Sequence, residues 1–192
     1  ASIIPLSTIK KICGKLLGEK VGITIPGLLT IDTPGHAAFT NIRRRGGNLA
    51  DIAVLVIDIN EGVKPQTEEC IEILKQYKTP FVIALNKIDL INGWNSSKEI
   101  LVENIEKQSP TVIGEFEKKV YEIIEKLKEL GLNPERFDRV GDYTKQIAVV
   151  PTSATTGEGI PELLMVIMGL SQKFLKDKLE VDKKGGAKGT II

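Results

Sequence analysis

Runs of aliphatic residues bounded by polar turns alternate along this chain with segments whose apolar positions recur at helical spacing. That alternation predicts βαβ units around a parallel sheet, an α/β fold. Residues 1–5 read as a short strand, and Ser7-Thr8 as a helix cap ahead of Ile9, Ile12, Leu16 and Leu17. A strand at 28–31 ends at Asp32, and a helix over 37–45 is stopped by Gly46-Gly47. Residues 52–57 and 81–85 are continuous apolar runs, the mark of strands buried on both faces. Pro65 opens a helix between them that carries Thr67, Ile71 and Leu74.

From Asn92 to Asp142 the pattern changes. Gly93 to Ser97 form a loop, with Trp94 as its anchor, and a long charged helix follows over 110–130. Its inner stripe is Val120, Ile123, Ile124, Leu127 and Leu130, with Gly131 and Pro134 as stops. Lys118, Lys119, Lys126 and Lys128 belong to its wet face. A strand at 147–150 precedes Ser153-Ala154, and Pro161 begins a last helix through Leu163, Leu164, Val166, Ile167, Leu170, Phe174 and Leu175. Three regions follow: a main domain over 1–180, a linker at 181–188, and at 189–192 the opening of a further β-domain.

Composition narrows the classes. Lys and Arg number 26 against 25 Asp and Glu, so no global field draws the protein to DNA or RNA, and any nucleic-acid contact is local. No run of eighteen apolar residues is present, so no membrane helix is expected, and the reading is of a soluble cytoplasmic protein. Cys13 and Cys70 are isolated, which suits a reducing compartment and offers no thiolate metal cluster. Aromatics make up 5% of the chain, so the core has to be aliphatic.

Candidate chemistry gathers at predicted strand ends, where open α/β sheets bind ligands. Asp32-Thr33-Pro34-Gly35-His36 follows one strand. Asp32 is placed to hold a water of a Mg²⁺ shell, because Mg²⁺ keeps most of its waters and takes few carboxylates. Pro34 and Gly35 permit a tight turn that frees the Gly35 N–H for a γ-phosphate oxygen. His36, the sole histidine, then stands where it can orient an attacking water. Alone, such a segment is most often a plain turn; order, spacing and topology reverse that reading.

Asn86-Lys87-Ile88-Asp89 follows the next buried strand. The Asp89 carboxylate matches the N1–H and N2–H₂ pair of guanine, which adenine lacks. Asn86 suits the N7 side and can tie neighbouring loops, while the Lys87 stem lies along the base or sugar. A site built on paired hydrogen bonds rejects the wrong base strongly, since its own polar groups would go unpaired. Ser153-Ala154 supply backbone N–H groups for the guanine O6. Arg43-Arg44-Arg45 admits two readings, a solvated helix end or a contact with RNA phosphate. No Gly-x-x-x-x-Gly-Lys-Ser/Thr loop occurs in the 192 residues.

The segments DTPGHAAFTNIRRRGG, DINEGVKPQT, KTPFVIALNKIDLINGW and PTSATTGEGIPELL resemble translational GTPases, above all the branch of initiation factor five B and its bacterial relative, initiation factor two. The resemblance implies a P-loop GTPase-type sheet, mostly parallel and flanked by helices, whose first strand, phosphate loop and first helix lie upstream of Ala1. That first strand would sit between the strands ending at Asp32 and Asp58 and leave both edges unpaired without it. It further implies GTP or GDP and Mg²⁺ as ligands, with Asp32 and Gly35 at metal and γ-phosphate and His36 catalytic against ribosomal RNA. Asn86, Lys87, Asp89, Ser153 and Ala154 would surround guanine. The ribosome is the implied partner, initiator tRNA is held by domains beyond Ile192, and this chain alone is expected to be inactive. Two other classes stand against this: a nucleotide-free interaction module on the same fold, and the G domain of a specialised-tRNA elongation factor.

Overall fold

The computed structural model describes residues 2–14, 16, 23, 25–32 and 50–174. β1 (Ser2–Pro5) runs into α1 (Leu6–Ile12) and pairs antiparallel with β2 (Gly27–Thr30). The helix begins at Leu6, ahead of the Ser7-Thr8 cap that the sequence suggested. Pro5 holds φ at −68° at the cap position, and the Leu6 N–H goes to the Pro26 carbonyl at 3.0 Å, so no side-chain cap is needed. The stretches 33–49 and 175–192 lie outside the described residues, and with them the expected helix at 37–45, Arg43 to Arg45, the linker and the start of a β-domain.

The main sheet holds β3 (Ala53–Asp58), β4 (Phe81–Asn86), β5 (Pro134–Arg136) and β6 (Ile147–Pro151) in the order β3-β4-β6-β5, all parallel. α2 (Pro65–Gln76) carries the chain from β3 to β4. α3 (Leu101–Lys107) and α4 (Pro110–Glu129) lie between β4 and β5, and α5 (Ile160–Phe174) follows β6. Alternate strand residues face opposite layers. Leu55, Ile57, Ile83, Leu85 and Val149 pack with Ile71 of α2, with Leu101 and Ile105 of α3, and with Phe116, Val120 and Ile124 of α4. On the other face Val82, Ala84 and Val150 pack with Leu163 and Leu170 of α5. Register puts Val54 and Val56 beside Val82 and Ala84, yet they are 42% and 59% exposed, so α5 covers only part of this face. A third cluster joins Ile9, Cys13 and Ile25 to Leu164 and Met168 of α5.

Two elements escaped the sequence pattern. α3 lies in a stretch to which the sequence pattern assigned no element; the buried Glu162 carboxylate accepts its Leu101 N–H at 2.8 Å, a tertiary interaction that no local signal announces. β5 begins at Pro134, read only as a helix stop. Proline is tolerated at the first position of an edge strand, and β5 is the edge.

Candidate functional site

Parallel register aligns three strand ends. Asp58 pairs with Asn86, and Leu85 with Pro151, so the loops after β3, β4 and β6 leave the sheet together. Backbone bonds continue across the gap: Ile59 N–H to Asn86 O at 2.9 Å, Thr152 N–H to Leu85 O at 2.8 Å, and Ile88 N–H to Thr152 O at 3.2 Å. Ile88 is fully buried and pins the turn, so its neighbours Lys87 and Asp89 are held at the surface layer. Lys87 adopts the left-handed conformation (φ 69°, ψ 36°), uncommon for a residue with a side chain.

The side chains then lock the loops. Asn86 Oδ1 accepts the Ala154 N–H at 3.0 Å, tying the loop after β4 to the loop after β6. Lys87 Nζ meets Asp58 Oδ2 at 2.8 Å, Asn60 Nδ2 donates to Lys87 O at 3.3 Å, and the Asn60 N–H donates to Asp58 Oδ1 at 2.8 Å. Asp89 sits in a short 3₁₀ turn, Ile88–Leu90, half-buried. Its carboxylate makes no hydrogen bond or ion pair among the described residues, so its acceptors are open to a ligand. The fully buried Ser153 donates its N–H to Glu158 O at 2.9 Å, and its Oγ accepts the Thr156 N–H at 3.1 Å. With Ser153 and Ala154 engaged in this way, Thr155 keeps the one backbone donor of residues 153–156 that is not bonded among the described residues.

The structure thus brings Asn86, Lys87, Asp89, Ser153 and Ala154 together. Asp32 is exposed, two residues past the end of β2, on a ribbon that shares no strand pairing with the main sheet. Thr33, Pro34, Gly35 and His36 lie outside the described residues. Three residues that sequence reading passed over belong to the site: Asp58, Asn60 and Glu158. Asp58 and Asn60 directly follow a buried aliphatic run, a signal equal to the one that marked Asn86. Glu158 stands between two glycines and looks like any turn acid. Trp94 is the expected anchor: its ring lies 5.4 Å from that of Phe116, and its indole N–H reaches Glu158 Oε1 at 3.2 Å.

Comparison with known proteins places the sequence and fold in a family. The sequence fits the elongation factor Tu GTP binding domain over residues 17–173, and the chain belongs to that family of translational GTPases. It is 58% identical over 194 residues to the "Probable translation initiation factor IF-2" of Methanopyrus kandleri, covering all of this chain and 32% of that protein. The protein of the same name from Methanocaldococcus jannaschii is 57% identical over 196 residues, again across the whole chain but over 17% of its own length. GDP-bound aIF5B from Aeropyrum pernix superposes with a TM-score of 0.86 at 51% identity, covering 94% of this chain and 31% of that one. The apo elongation factor SelB of Methanococcus maripaludis, at 21% identity and a TM-score of 0.51, shares the fold alone; it is covered over 32% of its length and covers 86% of this chain. The chain therefore spans about a third or less of these relatives.

The Asp58–Lys87 pair has a consequence in acid. Burial works to raise the Asp58 pKa, but the bonds from Lys87 and the Asn60 and Glu61 backbone outweigh it and leave the carboxyl below its ordinary 3.8. A depressed folded value means the pair stabilises the fold fully above pH 3.8 and loses that contribution as pH falls through the lower folded pKa. The Asp58 carboxyl carbon, followed by NMR, should titrate below 3.8; a midpoint at or above 3.8 would show that the pair does not form in solution.

Proposed function

We propose that this chain is the base-reading part of a GTP-hydrolysing domain in a translation initiation factor that promotes joining of the ribosomal subunits. The observation that carries this reading is the open Asp89 carboxylate beside two loops clamped by the Ala154–Asn86 bond. A rigid frame around one unpaired acceptor group is what selective recognition of guanine N1–H and N2–H₂ requires. Asn86 takes the N7 edge, the Lys87 stem lies along the sugar or base, and Ser153 and Ala154 build the turn facing O6. Lys87 is preset for this by its bond to Asp58.

Asp32, exposed at a strand end and carrying no bond to the described residues, has the acceptor chemistry to hold a water of a Mg²⁺ shell. A bound Mg²⁺ would supply positive charge to offset that of the nucleotide phosphates. Thr33, Pro34 and Gly35 would bring a backbone N–H to the γ-phosphate, and His36 would orient the attacking water once ribosomal RNA places it. Residues 1–180 act in this reading within a larger GTPase domain whose phosphate loop is contributed from outside this segment. The open Val54 and Val56 face is consistent with a further element packing there. No helix among the described residues is long and apolar enough to cross a membrane, which fits a cytoplasmic role on the ribosome. Initiator tRNA would be held by other domains, and this segment alone would not hydrolyse GTP.

Asp89→Asn exchanges an acceptor for a donor and should reverse base preference in the full-length protein. Competition binding should show xanthosine diphosphate favoured over GDP by about a hundredfold or more. Unchanged preference for GDP would remove the base site. His36→Ala should keep GTP affinity while ribosome-stimulated hydrolysis falls by about a thousandfold. Normal stimulated turnover in that variant would refute the role of His36.

A further inference from the structure

Glu158 is 5% exposed, and its carboxylate accepts four hydrogen bonds from described residues. Its Oε1 accepts from Asn104 Nδ2 at 2.6 Å, from Trp94 Nε1 at 3.2 Å and from the Ser97 N–H at 3.3 Å. Its Oε2 accepts from Thr156 Oγ1 at 2.6 Å, and its own carbonyl takes the Ser153 N–H at 2.9 Å. Asn104 is itself fixed by Gln108, which also clasps both backbone groups of Asn95 at 2.8 Å. A buried carboxylate is costly unless its lone pairs are filled. Here they are filled by donors from three segments: the loop after the 3₁₀ turn, α3, and the 153–158 turn.

That turn has little freedom of its own. Gly157 and Gly159 lie at φ 84° and 72°, and a Cβ on Gly159 would stand 1.9 Å from the Pro151 carbonyl oxygen, so the turn is pressed against the end of β6. One side is held by backbone contact, and the Glu158 carboxylate holds the other through Thr156. Between these supports Thr155 is exposed and carries the unbonded N–H, next to Ala154, whose N–H is on Asn86.

Resting on the base-site reading above, we infer that Glu158 is a positioning residue for base specificity: through Thr156 it sets the 153–157 turn so that the Thr155 N–H meets the guanine O6. Glu158 touches no nucleotide. It governs discrimination at O6 and leaves the N1 and N2 edge, read by Asp89, alone. A residue that merely braced the fold would affect both edges equally.

The experiment is competition binding of GDP, 6-thio-GDP and inosine diphosphate to the full-length protein. The sulfur at position 6 is a poor acceptor, so 6-thio-GDP reports O6; inosine lacks the 2-amino group, so its diphosphate reports Asp89. Glu158→Ala should reduce the preference for GDP over 6-thio-GDP by about tenfold, the size of one lost hydrogen bond, while the ratio of GDP to inosine diphosphate stays within about twofold. Thr156→Val cuts only the arm to the turn and should do the same, which keeps the test open if Glu158→Ala does not fold. Glu158→Gln retains an oxygen for Asn104 and Trp94 and presents its amide to the Thr156 hydroxyl, which can accept; it should keep the parental preference. The inference is overturned if Thr156→Val and Glu158→Ala leave the O6 preference intact, or weaken all three diphosphates by one common factor. Asp89→Asn in the same assay separates the two claims. If it fails to shift preference to xanthosine diphosphate, the base site falls and this inference with it; if it shifts while the O6 preference resists Thr156→Val, only the role of Glu158 falls.

Discussion

The parallel pairing of β4 with β6 is the constraint from which the site follows. Ile83, Ala84 and Leu85 lie opposite Val149, Val150 and Pro151, and this register ends both strands at one level. Shifting it by a single residue would turn the Val150 face towards α4 and the Val149 face towards α5, exchanging two buried layers. The hydrophobic core therefore enforces the register, and the register brings Asn86 within 3.0 Å of Ala154. The frame proposed for the base is thus obtained from the packing that holds the domain together.

Polar groups finish what packing begins. Interior hydrogen bonds contribute modestly when made and are costly when left open, so a buried network is sharply intolerant of displacement. Glu158, Asn104 and Gln108 form such a network beneath the loops, and Trp94 seals it against Phe116. Asp58 and Lys87 form a second lock nearer solvent, where the ion pair is weaker but directs the lysine stem. Against this fixed background the Asp89 carboxylate is the exception, with no hydrogen bond or ion pair among the described residues, and on the proposed reading an open acceptor in a rigid frame is a selective one.

Much of this was legible in the residues because the signals are local. The apolar runs at 52–57 and 81–85 marked strands, and the turn from Asn86 to Asp89 follows the second; that second strand is buried on both faces as its pattern required, whereas β3 leaves Val54 and Val56 exposed. The long stripe of Val120, Ile123, Ile124 and Leu127 faces the core as its spacing required. What escaped was set by distant partners. α3 owes its N-terminus to Glu162, and Glu158 owes its role to donors at Trp94, Ser97 and Asn104, more than fifty positions away. Neither acid differs in sequence from a solvated one. The Ser7-Thr8 cap was displaced by a strand entering directly through Pro5.

The central claim is that the loops after β4 and β6 form one guanine-reading surface. A ¹⁵N-resolved NMR titration of the full-length protein with GDP, and separately with ADP, tests it most directly. GDP should shift the amides of Ala154 and Thr155 downfield together with that of Asp89, whereas ADP at the same concentration should move none of them. Equal shifts with both nucleotides, or GDP binding that leaves these three amides unmoved, would contradict it.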